Sequence, residues 1–277
     1  MTLNGKTVAI TGSTGGLGRE LCFKLAKLGV NLIMLNRNAQ KTEVLANELI
    51  RKFNIKVTQI TTELEDMESV KNATEKLIEL GPDYFIANAG AYCIPRHKCS
   101  SGFENIFQIN FVSPYYMISA LAEKLPNIKF VAVGSIAHTY SVIDESDIDF
   151  STRKGSAKPY GNSKRFLMLA LGEKFKNTPK RLSIAHPGIT FTNITAHYPK
   201  LIFAIIKHPM KIIFMKPKKA ADCILEGVLG YTPFGYWIGP RFFGIWGKPR
   251  LQRLKAAYTQ DSWRTVRIAE KIMDELK

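Results

Sequence analysis

The 277-residue sequence has no aspartate or glutamate between Lys174 and Ala221. Ten lysines and arginines fall in that stretch, from Lys174 to Lys219, and supply most of a formal net charge of +16. Cysteine is scarce: Cys22, Cys93, Cys99 and Cys223 make no CxxC pair, and no cysteine–histidine run has zinc-ligand spacing. Neither a disulfide framework nor a metal site is therefore expected, and free thiols in a reducing cytosol are. Long apolar runs are missing as well. Leu201 to Ile206 is the longest clean one near the basic stretch, against the ~20 residues needed to cross a bilayer. No apolar signal-peptide core follows Met1 to Lys6. These absences lead to a cytoplasmic expectation. At 45% hydrophobic and 22% charged residues, the chain is not dominated by disorder. The positive excess calls for an anionic partner: nucleic acid, a phosphorylated cofactor or an acidic membrane face.

Short apolar runs alternate with helical periodicity. Thr7 to Ile10, Val30 to Leu35, Lys56 to Thr62, Tyr84 to Ala87, Lys129 to Val133 and Leu182 to Ala185 read as strands. Between them, Leu17 to Leu28, Ala39 to Phe53, Asp66 to Leu80, Phe103 to Leu125 and Tyr160 to Phe175 read as helices. That alternation predicts an α/β fold, a doubly wound parallel sheet with helices on both faces. With no linker-like tract, residues 1–277 are expected to form one domain.

Between the first strand and first helix lies Thr11-Gly12-Ser13-Thr14-Gly15-Gly16-Leu17-Gly18. Glycines there let the backbone approach a pyrophosphate while the helix N-terminus offers free N–H groups, and Ser13 and Thr14 add hydroxyl donors. An ordinary βα turn has the same composition, so the loop alone is a weak signal. The second strand ends Asn36-Arg37. An acid here would hold a ribose 2′-hydroxyl and repel a 2′-phosphate, whereas a guanidinium fork binds that phosphate. Arg37 therefore favours NADP(H) over NAD(H). Arg19 is either a second positive charge near the same phosphate or a solvated residue of the first helical turn.

Further motifs follow in order: Asn88-Ala89-Gly90 after the fourth strand, Asn110 inside a long apolar helix, and Ser135 at the end of the fifth strand. Tyr160 and Lys164 then stand at i and i+4 on one helix face. With a TGxxxGxG loop made by Gly12, Gly16 and Gly18, this set resembles the short-chain dehydrogenase/reductase family. Gly15 also lets the loop fit the TGxxGxxG pattern of the longer epimerase-type relatives, which the modest length disfavours. Asn36-Arg37-Asn38, Ser135 to His138 with the long polar loop after it, and Gly235 to Pro240 are similar to the retinol dehydrogenase and WW-domain-oxidoreductase-like branch.

The resemblance implies carbonyl–alcohol interconversion by hydride transfer. Tyr160 would be the acid/base, Lys164 would lower its pKa and bond the nicotinamide ribose, Ser135 would bond the substrate oxygen, and Asn110 would hold a lysine–water relay. The cofactor would meet Gly12, Ser13, Thr14, Gly16, Leu17, Gly18, Asn36, Arg37, Asn88, Ala89 and Gly90. It would also meet Glu63 and Leu64 at the adenine, Pro187 and Gly188 where the chain turns over the nicotinamide, Ile189 at the carboxamide, and Thr192 at the carboxamide or the pyrophosphate. Glu63 departs from the aspartate usual in the family. His138 is read as a loop residue packing near the site.

In this family a substrate lid falls at about 190–220, and here it mixes apolar residues with lysines. A hydrophobic carbonyl or alcohol substrate, retinoid-, steroid- or lipid-like, is the expected partner. Contact of the basic 199–219 segment with a membrane surface is the minority reading, and homo-oligomerisation is left open. Nucleic acid is not expected, because no basic-aromatic recognition module is present. The rival functional class is a non-catalytic NADP(H) sensor on the same fold, although sensors commonly lose the tyrosine or lysine that this chain retains.

Overall fold

In the computed structural model, residues 2–190, 215–254 and 258–276 are described. The first half alternates β1 (Thr7–Thr11), α1 (Gly16–Lys27), β2 (Asn31–Asn36), α2 (Ala39–Phe53), β3 (Val57–Thr61), α3 (Met67–Leu80) and β4 (Tyr84–Ala87). Next come α4 (Asn105–Phe107), a π-helical turn (Gln108–Val112), α5 (Ser113–Lys124), β5 (Lys129–Val133), α6 (Ala157–Lys174) and β6 (Leu182–Ala185). After the undescribed segment stand α7 (Pro217–Leu229), β7 (Tyr236–Phe242), β8 (Trp246–Arg253) and α8 (Tyr258–Leu276).

The strands form one sheet in the order β3-β2-β1-β4-β5-β6-β7-β8. β1 to β7 pair in parallel, and β8 turns back antiparallel on β7. Helices cover both faces, so β4 and β6 are buried along their whole length, as a doubly wound sheet requires. One core joins the sheet to α3, α5, α6 and α8, around Phe85, Phe107, Phe111, Phe130 and Phe166. The opposite face packs on α1, α2 and α7 through Leu21, Leu25, Leu45, Leu49 and Ile224.

Local chemistry sets the helix ends. Asn38 caps α2 by accepting from the Lys41 amide, and Asp66 caps α3 by accepting from Glu68; each such cap contributes about 1 kcal/mol. Asn54 and Gly81 close the same helices in the left-handed region. The expected helix over Phe103 to Leu125 is interrupted by the π turn. The helix expected from Tyr160 begins three residues earlier, at Ala157, with Pro159 in its first turn, where a missing N–H costs nothing. The antiparallel β8 modifies the expected all-parallel sheet.

The order reverses between β1 and β4, and the strand C-termini there open toward one crevice. Among the described residues no helix is long and apolar enough to cross a membrane. Almost all of the expected lid at 190–220, and most of the basic 199–219 segment, lies outside the described residues.

Candidate active site

The crevice starts at Thr11, the last residue of β1. Its hydroxyl accepts from the Asn88 amide at 3.1 Å and the Ala89 amide at 3.0 Å. Asn88 returns the contact, Nδ2 donating to the carbonyls of Thr11 (2.9 Å) and Gly12 (3.2 Å). β1 and β4 are thus stitched together where the sheet order reverses. Gly12 has φ +69°, and a Cβ there would meet Ala89 at 3.0 Å. A Cβ at Gly18 would be driven into the Gly12 carbonyl oxygen and to 2.9 Å from the Ser13 Cα. Two of the three motif glycines are therefore fixed by close backbone approach.

α1 begins at Gly16 with no side-chain cap and no acidic residue in its first turn. Its free N–H groups and dipole face the glycine loop, an arrangement suited to an anion. Asn36 is buried, and its Nδ2 donates to the Ser13 hydroxyl at 2.7 Å while its Oδ1 accepts from the Thr14 amide at 3.3 Å. It ties the glycine loop to the end of β2. Arg37, the next residue, is exposed, and no ion pair engages it among the described residues. Arg19 is different. Its guanidinium pairs with Glu48 at 2.6 Å and lies over the Phe23 ring, so its charge is neutralised on α2 and is not held for a phosphate. The Glu63 carboxylate accepts from the Glu65 amide at 3.4 Å, a turn contact of its own loop, and Leu64 is buried beside it.

On the other side of the crevice, the Ser135 hydroxyl hydrogen-bonds the Tyr160 phenol. Ser135 also caps the short 3-10 turn Ile136–Tyr140, accepting from the Ala137 amide at 3.2 Å. One helical turn beyond Tyr160, Lys164 is buried, and its Nζ donates to the Val133 carbonyl at 2.9 Å. The Asn110 side chain sits in the π turn, a helical irregularity frequent at functional sites. It accepts from the Ala91 amide at 3.1 Å and donates to the carbonyls of Ala91 and Ile106, both at 2.8 Å. A Cβ at Gly90 would stand 2.8 Å from Asn110 Oδ1 and 3.6 Å from Lys164 Nζ, so Gly90, Asn110 and Lys164 converge. Phe107 and Phe111, either side of Asn110, meet Phe166 of α6 edge to face and at a tilt, respectively, and hold the two helices in register.

Burial acts oppositely on the two ionisable groups. It pushes the Tyr160 phenol up to about 12, against the smaller lowering effect of the Ser135 hydrogen bond. It pushes the Lys164 ammonium down to about 8. The expected depression of the tyrosine by the lysine is not found: Lys164 is aimed at Val133, and loss of solvation dominates at the phenol. At neutral pH the Tyr160 phenol therefore keeps its proton.

After β6, Gly188 has φ +84° and a Cβ there would strike the Ile245 carbonyl at 2.8 Å. The Ile189 carbonyl accepts from the Met215 amide at 2.9 Å, which anchors the chain as it returns from the undescribed segment. Pro187, Gly188 and Ile189 thus follow the C-terminal end of β6, whereas Thr192 lies outside the described residues.

The family model for short chain dehydrogenases matches residues 6–200. The chain belongs to the short-chain dehydrogenase family. Human retinol dehydrogenase 13 is 29% identical over 207 residues, covering 71% of this chain and 62% of that relative's own length. Mouse retinol dehydrogenase 14 is 26% identical over 87% of this chain and 78% of its own. Among solved structures, a short-chain dehydrogenase from Sphingobium yanoikuyae in complex with NADPH matches with a TM-score of 0.64 at 18% identity, covering 96% of this chain and 93% of that one.

Within this short-chain dehydrogenase, several contributors carry no local motif. Thr11 joins the strand ends. Tyr92 meets Tyr160 edge to face, ring centroids 5.0 Å apart. His138 touches the Ser135 carbonyl through Nδ1 at 2.6 Å, and its own carbonyl accepts from Arg165 at 3.0 Å. Arg165 pairs in turn with Asp261 of α8. His138 thus buttresses the serine rather than only packing near it. Only the charge of Arg165, next to Lys164, marks this chain of contacts in the sequence.

Proposed function

We propose that the chain is an NADP(H)-dependent oxidoreductase that interconverts a ketone or aldehyde and an alcohol on a hydrophobic, retinoid-, steroid- or lipid-like molecule. The observation that carries this reading is the Ser135–Tyr160 hydrogen bond with Lys164 one helical turn away. The residues fit the cofactor. The glycine loop closes so tightly that no Cβ enters at Gly18, the α1 N-terminus is uncapped, and an exposed arginine follows β2. The loop, with Asn88, Ala89 and Gly90, would hold the pyrophosphate and riboses. Arg37 would take the 2′-phosphate, Lys164 the nicotinamide ribose, and Ile189 the carboxamide. When bound, NADP(H) supplies or accepts the hydride.

The protein's own residues manage the oxygen. Ser135 hydrogen-bonds the substrate oxygen and orients it toward the phenol. Tyr160, protonated at pH 7, would give that oxygen its proton during reduction, leaving a phenolate that solvent reprotonates. In oxidation the phenol would first lose its proton to solvent, and the phenolate would take the alcohol's proton. Relatives named as retinol dehydrogenases support a hydrophobic alcohol or carbonyl. All four cysteines are free, in keeping with a reducing, cytoplasmic setting, and residues 1–277 are taken as one catalytic domain.

The test is NADPH consumption against a panel of hydrophobic ketones and aldehydes, with Tyr160→Phe as control. Turnover that the variant abolishes supports the reading. NADPH binding without turnover on any panel member overturns it in favour of a nucleotide sensor.

A further inference from the structure

We propose that Glu65, on the loop that follows β3, and His97 and Cys99, on the loop that follows β4, form a binding site for a divalent zinc-type cation. Their ligand atoms all lie within 4.8 Å of one another. His97 Nε2 is 3.0 Å from the Glu65 carboxylate. One carboxylate oxygen, one imidazole nitrogen and one thiolate are ligands zinc accepts, with a solvent molecule as fourth partner. Bonds of about 2.0–2.3 Å require the three atoms to draw in somewhat from their present spacing.

The backbone presents the set. Lys98 bridges Glu104 in antiparallel fashion, the Cys99 amide donates to the Phe103 carbonyl at 2.8 Å, and the Asn105 amide donates to the His97 carbonyl at 3.0 Å. His97 and Cys99 flank Lys98 in this short extended segment, so their side chains share one face. Glu65 precedes Asp66, the cap of α3, and approaches from the opposite side. Partial exposure of all three residues gives an ion a way in.

The charge balance suits a dication. In a chain of net charge +16 this cluster brings together a carboxyl, a thiol and an imidazole, while the nearby Glu104 is already paired with Arg96 at 2.8 Å. With Glu65 ionised and the thiol deprotonated, the ligands carry two negative charges against the ion's two positive ones. Binding expels the Cys99 proton to solvent. His97 Nε2 becomes a ligand, and its ring proton moves to Nδ1, which faces the Asn105 amide at 3.1 Å. Asn105 Nδ2 also donates to the Pro95 carbonyl at 3.0 Å, so the exposed His97 ring must turn from it to give that proton to solvent. No local motif marks the site, because Glu65 lies 32 residues before His97, and the sequence therefore led to the expectation of no metal.

Glu65 is also two residues from Glu63, whose carboxylate accepts from the Glu65 amide. An ion held by Glu65 therefore clamps the loop that lines the expected adenine end of the crevice. This coupling rests on the proposed function; the ion binding does not.

Cobalt(II) is the probe, titrated into the reduced full-length protein in the absence of nucleotide. The expected result is one equivalent bound, with a thiolate-to-cobalt charge-transfer band that zinc abolishes by competition. Cys99→Ser removes the band, Cys93→Ser keeps it, and His97→Ala weakens binding by at least about tenfold. Calorimetry of zinc binding in buffers of different ionisation enthalpy should report about one proton released at pH 7. No band in the wild-type protein, or a band that survives in a folded Cys99→Ser variant, overturns the site. Both measurements leave the dehydrogenase reading untouched, since neither uses cofactor or turnover.

Discussion

The side-chain amide of Asn110 grips the backbone of Ala91 from both sides, Oδ1 accepting its N–H at 3.1 Å and Nδ2 donating to its carbonyl at 2.8 Å. The π turn is thereby fastened to the strand β4 exit, beside Gly90 and Lys164. Replacing Asn110 with alanine strands buried backbone groups of Ala91 and Ile106. Asn110→Ala should lose about 3 kcal/mol of stability and most of its turnover, measured by urea unfolding and NADPH consumption. Unchanged stability would show that the clamp is ornamental.

Tyr160 is a neutral phenol well above neutrality. Tyr160→Phe should reduce turnover by about 100- to 10,000-fold while NADPH binding, followed by fluorescence titration, stays near the wild-type value. The Ser135 partner predicts a companion loss in Ser135→Ala. Activity close to normal in both variants is incompatible with the assignment.

Lys164 is held near 8, below its ordinary 10.5, by burial. A buried base with a depressed pKa binds fewer protons folded than unfolded between about pH 8 and 10.5, so stability should rise with pH across that window. At pH 7 the buried ammonium is a burden of up to about 3 kcal/mol. Lys164→Met should therefore unfold at higher urea concentration at pH 7 and lose the rise toward pH 10, while turnover collapses. A variant less stable than wild type at pH 7 would contradict this balance.

Gly18 has no room for a side chain against Gly12 and Ser13. Gly18→Ala should cost about 2 kcal/mol through overpacking and weaken NADPH by more than about tenfold, because the loop is pushed off the α1 N-terminus. Thermal melts with and without NADPH separate the two effects.

Arg37 stands exposed after β2. Arg37→Glu should weaken NADPH by about 10- to 100-fold and NADH much less. Equal losses for the two nucleotides would remove Arg37 from the 2′-phosphate.

The sequence reveals five of the first six strands because each is a short run buried along most of its length; the edge strand β3, mostly exposed, shows only through its β-branched residues and its place in the alternation. It reveals the proposed catalytic set because Ser135 follows the apolar run of β5 and Tyr160 and Lys164 stand at i and i+4 within α6. The π turn escapes notice because Gln108 to Val112 keeps an ordinary apolar pattern, and its extra residue per turn is set by Asn110 reaching Ala91. β8 is obscured by Pro249 and by a mostly exposed, polar face. Arg19 illustrates a more general limit. Its partner Glu48 is 29 residues away, and only the packing of α1 on α2 decides whether its charge is spent on a neighbour or kept for a ligand. The Glu65–His97–Cys99 cluster is hidden for the same reason.

The last helix has a bearing on how truncated copies of this sequence behave. Every motif of the family match ends by residue 200, well before α8. Yet Asp261 on α8 holds Arg165, Arg165 holds the His138 carbonyl, and His138 holds the Ser135 carbonyl. A premature stop codon ahead of residue 258 leaves the diagnostic signature whole and takes the brace from the serine turn. Such a transcript would pass for a working gene by its motifs and yield a protein with a slackened reaction centre.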